Sequence, residues 1–329
     1  MLLAAHDAIL SDLDGVVYAG PFAIDGAPQA LNKAQEAGVP VVFVTNNASR
    51  SVQGVANHLV ELGVNTDAEH VVSSAQAAAE LLKEQLPAAS KVLIVGSQAL
   101  ADCVTAAGLT PVTSQAEEPV AVVQGFDPTL GWENLAEASY TLADEKVLWV
   151  ATNTDFTIPK ERGLAPGNGT LVGAVATATG RTPLVAGKPA APIFETAAHK
   201  LGAQRPVVVG DRLDTDVRGG NQAGMATAIV LTGVETYQSI MAAIPLERPT
   251  YILENLHNFL QDYPEIQTQV TATGAWASGA GWAAEATETE LSIHGEGSEL
   301  DSWRVACAAW WAAHPEASAP LAPTKVHRG

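Results

Sequence analysis

Residues 9–18, ILSDLDGVVY, set two carboxylates, Asp12 and Asp14, between apolar pairs and follow them with Gly15. Carboxylates in apolar surroundings are costly unless a cation compensates them. If the backbone stays extended through Asp12, Leu13 and Asp14, the two side chains diverge by the strand period, and Gly15 lets the chain turn tightly. One carboxylate then faces a metal and a phosphorus atom while the other reaches the far side of the same ligand. An acidic turn or a calcium loop reads the same residues, although positions 16, 18 and 20 are Val, Tyr and Gly, not the later ligands of an EF-hand.

Three further stretches carry compatible chemistry. VFVTNNASR, residues 42–50, ends an apolar run in Thr45, Asn46 and Asn47. A hydroxyl and successive backbone N–H groups at a strand end make a neutral anion cradle, and the same residue types also suit an N-cap or turn. VAGKPAAPIFETA, residues 185–197, puts Lys188 after the apolar PLVAG run and before a helix starting near Pro192; it reads either as a strand-end lysine in a cleft or as a solvated loop lysine. VVVGDRLDTDVRGGNQAGM, residues 207–225, ends its apolar run at Asp211 and adds Asp214 and Asp216. Acids so close repel one another unless they surround a cation. With Asp12 and Asp14 they compose an all-oxygen site suited to Mg²⁺.

The elements that must position these groups alternate. Short β-branched runs at 8–12, 39–45, 207–211 and 227–232 are each followed by polar or glycine-rich residues and a helical stretch, the pattern of an α/β fold with a mainly parallel sheet. In such sheets the ligand site forms at the carboxyl ends of the strands, where Asp12, Thr45 and Asp211 fall. A second α/β rhythm occupies about 83–182, with strands expected at 91–97, 120–126 and 146–153 and helices near 98–107 and 131–143. Motifs on both sides of it mark it as an insertion. From about 263 onward lie five of the seven tryptophans; residues 300–314 read as a helix, and TATGAWASGAGWAAE is open between strand, turn and loop.

Composition bounds the function. With 47% hydrophobic and 16% charged residues over 329 positions, the chain is globular and long enough for more than one domain. Its formal charge of −19 argues against nucleic-acid or anionic-membrane partners. Cys103 and Cys307 lack metal or disulfide-framework spacing, no basic segment opens the chain as in a signal peptide, and no apolar run approaches the roughly 18 residues of a membrane span. A cytoplasmic protein is expected, and association of like chains stays open. The eight histidines show no zinc spacing. GNGTLVG, residues 167–173, follows a proline-containing loop and reads as a helix start, not a dinucleotide loop. Arg50 and Arg212 flank the motifs and suit either substrate contact or surface ion pairs. A tryptophan stripe at helical spacing suits core packing.

The elements DLDGVVY, VTNNASR, GKP and GDRLDTD, in this order and spacing, resemble those of haloacid-dehalogenase (HAD) superfamily phosphatases, subclass IIA, the NagD-like group. ATNTDFTIP and GLAPGNGTLVGAVATATG resemble that group's C2-type cap, with Thr154 where relatives commonly carry proline. The resemblance covers about residues 6–262, and the remainder is similar to the extension of actinobacterial relatives, some of which act on glycerol 3-phosphate. It implies a Rossmann-like three-layer core at 1–82 and 183–262, an inserted cap at 83–182 and an extension at 263–329.

The resemblance also implies roles. Asp12 becomes the nucleophile that forms an aspartyl-phosphate, and Asp14 the general acid and then base. Thr45, Asn46 and Asn47 bind phosphate, and Lys188 neutralises nucleophile and phosphate. Mg²⁺ is held by Asp12, the Asp14 carbonyl and Asp211, with Asp216 fixing a metal-bound water or Lys188. The implied activity is Mg²⁺-dependent hydrolysis of small phosphate monoesters, glycerol 3-phosphate or a sugar phosphate. A phosphotransferase would use the same intermediate. A phosphorylatable signalling module would share the strand-end Asp, Thr and Lys, but not the second carboxylate, Asp14, or the large insertion.

Overall fold

Runs such as Pro206–Gly210 and Ala8–Ser11 are buried at every position. Strands of this kind belong at the centre of a parallel sheet covered on both faces. A computed structural model describes residues 1–160 and 162–329. They fall into two compact units, one of Met1–Val41, Leu62–Val64 and Ala203–Gly329, the other of Val42–Glu61 and Asn65–Gly202.

In the first unit, parallel strands Tyr251–Leu253, Ala226–Val230, Pro206–Gly210 and Ala8–Ser11 lie side by side in that order. The register sets Ser11 opposite Val209, so both central strands run out together just before Asp12 and Asp211. The C-terminal residues build a second sheet. Strands Gln267–Thr271, Gly274–Gly279, Trp282–Ala286 and Glu290–Gly295 are antiparallel neighbours, and Lys325–Arg328 joins the last in parallel. TATGAWASGAGWAAE thus resolves into strand and hairpin.

The helix Glu299–Ala313, capped by the Ser298 hydroxyl accepting from the Asp301 N–H at 3.1 Å, agrees with the expected 300–314. Its Trp303 and Trp310 share one buried cluster with Ile229, Ile240, Met241 and Ile252 of the parallel-sheet region and with Ala277, Ala284 and Ile293 of the second sheet. Trp303 stacks on Tyr237 with ring centroids 5.0 Å apart, and Arg304 donates to the Ile252 carbonyl at 2.9 Å. The tryptophan-rich segment is core.

In the second unit, strands Val41–Thr45 and Val71–Ser73 pair in parallel, Thr45 opposite Ser73. A separate all-parallel sheet runs in the order Leu184–Val185, Leu148–Ala151, Ala121–Gln124, Lys91–Val95 and Thr110–Val112. Helices Gln98–Ala106, Trp132–Thr141 and Pro192–Leu201 stand where the sequence places them. Asn168–Thr179 begins at GNGTLVG, so that loop is a helix start. Strands 71–73, 110–112 and 251–253 and the hairpin Thr157–Lys160/Gly163–Pro166 add to those expected; each is too short for its periodicity to stand out.

Among the described residues no helix is long and apolar enough to cross a membrane. Cys103 and Cys307 are free thiols. Trp310 is 1% exposed and its indole N–H donates to the Leu321 carbonyl at 2.8 Å. Trp310→Ala should therefore cost about 3–5 kcal/mol, the range for truncating a buried aromatic side chain, read as a lower urea midpoint.

Candidate active site

In the first unit strands Ala8–Ser11 and Pro206–Gly210 each end one residue before an acid. The Asp12 N–H donates to the Val209 carbonyl at 2.8 Å, and beyond it the chain turns, with the Val16, Val17 and Tyr18 N–H groups all reaching the Leu13 carbonyl. The extended backbone expected through Asp12–Asp14 is therefore a bend, closed by a bridge between Asp14 and Tyr18. Asp12 is half-buried, while Asp14 is exposed and not apolar-walled as expected. The physical reason is local: Gly15 at φ +75° reverses the chain at once, and the apolar neighbours Leu13, Val16 and Val17 turn inward instead.

Asp211 follows strand Pro206–Gly210 and is 4% exposed; Asp216, at 1%, comes from a wide helical turn, Leu213–Val217. In that turn the Asp216 and Val217 N–H groups both bond back to the Arg212 carbonyl. Asp12, Asp211 and Asp216 each offer a carboxylate oxygen, all within 4.8 Å of one another. The Val234 N–H donates to Asp211 at 3.0 Å and the Arg212 N–H to Asp216 at 3.2 Å. A Cβ at Gly15 would collide with the Asp211 carboxylate, and one at Gly210 with Asp216.

Asp214 leaves the cluster. It pairs with Arg212 at 2.7 Å, both ends exposed, so Arg212 is engaged in a surface ion pair. The hydrogen bonds that the guanidinium donates to Asp214, with Asp211 and Asp216 nearby, hold it above its ordinary pKa against the opposing effect of burial. The three converging oxygens suit a hard divalent cation. Asp216 stands within the cluster.

In the second unit Thr45 ends its strand, and its hydroxyl oxygen accepts the Asn47 N–H at 3.1 Å. The Asn47 side-chain carbonyl accepts from the Ser49 N–H and hydroxyl, both at 2.9 Å, and so shapes the turn. Lys188 is 5% exposed. Its backbone N–H donates to Asn46 Oδ1 at 2.8 Å, and Asn46 Nδ2 donates to its carbonyl at 3.0 Å. Thr45, Asn46, Asn47 and Lys188 are thus gathered across 142 positions of sequence. Asn153 and Asp155, which also bond Asn46, carried no role in the sequence reading. Their one signal is a polar cluster at the end of an apolar run, as at Asp12 and Thr45.

Residues 9–110 match the family model described as haloacid dehalogenase-like hydrolase, and residues 185–259 that described as HAD-hydrolase-like. The chain is 49% identical over 257 residues to a D-glycerol 3-phosphate phosphatase of Mycobacterium tuberculosis, covering 78% of this chain and 72% of that one. An acid sugar phosphatase of Staphylococcus aureus is 37% identical over 78% of this chain and 98% of its own. The crystal structure of a glycerol phosphate phosphatase from M. tuberculosis in complex with magnesium superimposes with a TM-score of 0.86 at 41% identity, covering 100% of this chain and 94% of that one.

Gly15→Ala should push the Asp211 carboxylate out of the cluster. Titration with Mg²⁺ by calorimetry should show binding weakened by about tenfold or more, about 1.4 kcal/mol, with an unchanged circular dichroism spectrum.

Proposed function

Because the chain belongs to the haloacid dehalogenase-like hydrolases, we propose that it hydrolyses small phosphate monoesters through an aspartyl-phosphate on Asp12. The observation that carries this reading is the convergence of Asp12, Asp211 and Asp216 just beyond parallel strands. Asp12 attacks phosphorus as the ester P–O bond breaks, and Asp14, the exposed and protonatable partner, gives its proton to the leaving alkoxide. Asp14 then takes a proton from the water that attacks the phospho-aspartate, releasing phosphate and restoring Asp12.

Thr45 and the Asn46 amide hold phosphate oxygens, and Asn47 turns the chain so that they converge. Lys188, buried but cationic, offsets the charge of nucleophile and phosphate. Mg²⁺ is the ion this oxygen set fits, held by Asp12, Asp211 and the Asp14 carbonyl, with Asp216 beside them. When bound it supplies positive charge to the phosphoryl oxygens.

Glycerol 3-phosphate is the first candidate substrate, supported by the likeness to the mycobacterial enzyme, with sugar phosphates next. Residues 83–182 act as the cap that keeps bulk water from the phospho-aspartate. The charge of −19 disfavours polyanionic partners such as nucleic acid.

Phosphate release from p-nitrophenyl phosphate and glycerol 3-phosphate tests the assignment. Asp12→Asn should abolish turnover with the circular dichroism spectrum unchanged; activity within about tenfold of wild type would contradict a nucleophile. Asp14→Asn should cost about 10²–10⁴-fold, more for glycerol 3-phosphate, whose alkoxide needs a proton, than for p-nitrophenolate. Chelation should stop turnover and Mg²⁺ restore it. Ca²⁺, which prefers more ligands at longer distance, should restore little.

A further inference from the structure

The segment ATNTD, residues 151–155, ends the strand Leu148–Ala151 in polar groups that the proposed chemistry leaves unused. Asn153 is 5% exposed. Its Nδ2 donates to the Asn46 backbone carbonyl at 2.8 Å, and its Oδ1 accepts the Asp155 N–H at 3.2 Å. The Ser74 hydroxyl donates to the same Asn46 carbonyl at 2.7 Å, so the peptide leading from Asn46 to Asn47 is held by two donors. The Asn46 carboxamide in turn holds the Lys188 backbone in both directions. A run of hydrogen bonds thus passes from Asn153 through Asn46 to Lys188, joining the two residues assigned to phosphate and charge.

Asn168, at the first position of helix Asn168–Thr179 and 1% exposed, stands behind this run. Its Nδ2 donates to the Asn153 carbonyl at 2.7 Å, while its Oδ1 has no hydrogen-bond partner among the described residues. A buried acceptor left unmet destabilises the fold, and an apolar side chain of similar size would avoid that penalty. What the carboxamide does, and an apolar side chain could not, is to hold the Asn153 carbonyl, with a longer contact of 3.4 Å to the Gln124 carbonyl. Packing leaves no slack here: a Cβ at Gly169 would strike the Thr154 carbonyl.

We propose that Asn153, backed by Asn168, is a positioning residue for phosphate-ester hydrolysis: it fixes Asn46, and the Asn46 carboxamide fixes the backbone that carries the Lys188 ammonium. This rests on the phosphatase reading above. Asn153 touches no reacting atom in that scheme; it sets where two phosphate-facing groups stand.

Asn153→Asp keeps the shape and the acceptor but removes the donor that meets the Asn46 carbonyl. With p-nitrophenyl phosphate, kcat should fall about 10- to 100-fold, the scale of a small misplacement, with KM within about threefold; a carboxylate buried against the Asn46 carbonyl also lowers the thermal midpoint, so the rates are read well below it. Asn46→Ala should show a comparable loss, and the double variant should be no worse than the poorer single, because both cut the same chain of contacts. A role in stability alone would lower the melting temperature with no loss of kcat below it, or leave the losses multiplicative. If the aspartate disturbs folding, Asn153→Ser takes its place in the same cycle. An active wild type with kcat of the Asn153 variant within about twofold, or with losses that multiply, overturns this inference alone. A wild type that releases no phosphate overturns the phosphatase reading and this inference with it.

Discussion

The convergence of three carboxylates, Asp12, Asp211 and Asp216, is the constraint on which the site in the first unit depends. Each offers an oxygen within 4.8 Å of the others, and carboxylates brought so close need compensating positive charge to stay ionised together. The parallel sheet supplies the restraint. Strands Ala8–Ser11 and Pro206–Gly210 are buried at every position and locked in register, so the two chain ends cannot drift apart without breaking a ladder at the centre of the core. The turn Leu213–Val217 then brings Asp216 back, with its N-terminal neighbour Arg212 donating a backbone N–H to that carboxylate. Three carboxylate oxygens held together by the fold suit a hard divalent cation.

The second unit is organised without net negative charge at its motif. Its carboxamides, at Asn46, Asn153 and Asn168, bond mainly to backbone groups, and such bonds fix direction without the desolvation cost of an ion pair. Lys188 is buried there, and its main chain is held by Asn46 at both N–H and carbonyl.

The C-terminal sheet and helix belong energetically to the first unit. Trp303, Val305 and Trp310 share a buried cluster with Ile229 and Ile252. Arg304, 7% exposed, bonds the Ile252 carbonyl and lies over the Tyr263 ring at 4.2 Å. Arg248 donates to the Trp311 and His314 carbonyls from the opposite direction. Tryptophans whose N–H groups find carbonyl partners, as in Trp310 and Trp311, can be buried without leaving a donor unmet.

Much of this was legible in residue order. Apolar β-branched runs ending in Asp12, Thr45 and Asp211 announced parallel strands with a site at their carboxyl ends, because burial on both faces demands continuous apolar runs. The acids, the lysine and two of the carboxamides, Asn46 and Asn47, were nameable for the same reason: each motif sits beside a strand whose pattern is unmistakable. Other features had no local signature. The turning of Asp214 outward onto Arg212, while Asp211 and Asp216 stay with Asp12, follows from how the turn Leu213–Val217 folds back on the strand end. The placement of Asn153 against Asn46 joins residues 107 positions apart. Sequence alone determined which side chains are available and which strand ends carry them, since short-range periodicity encodes both. Which oxygens converge and which carboxamide holds which carbonyl was decided only by tertiary structure, because those contacts depend on sheet order and close packing that no local pattern contains.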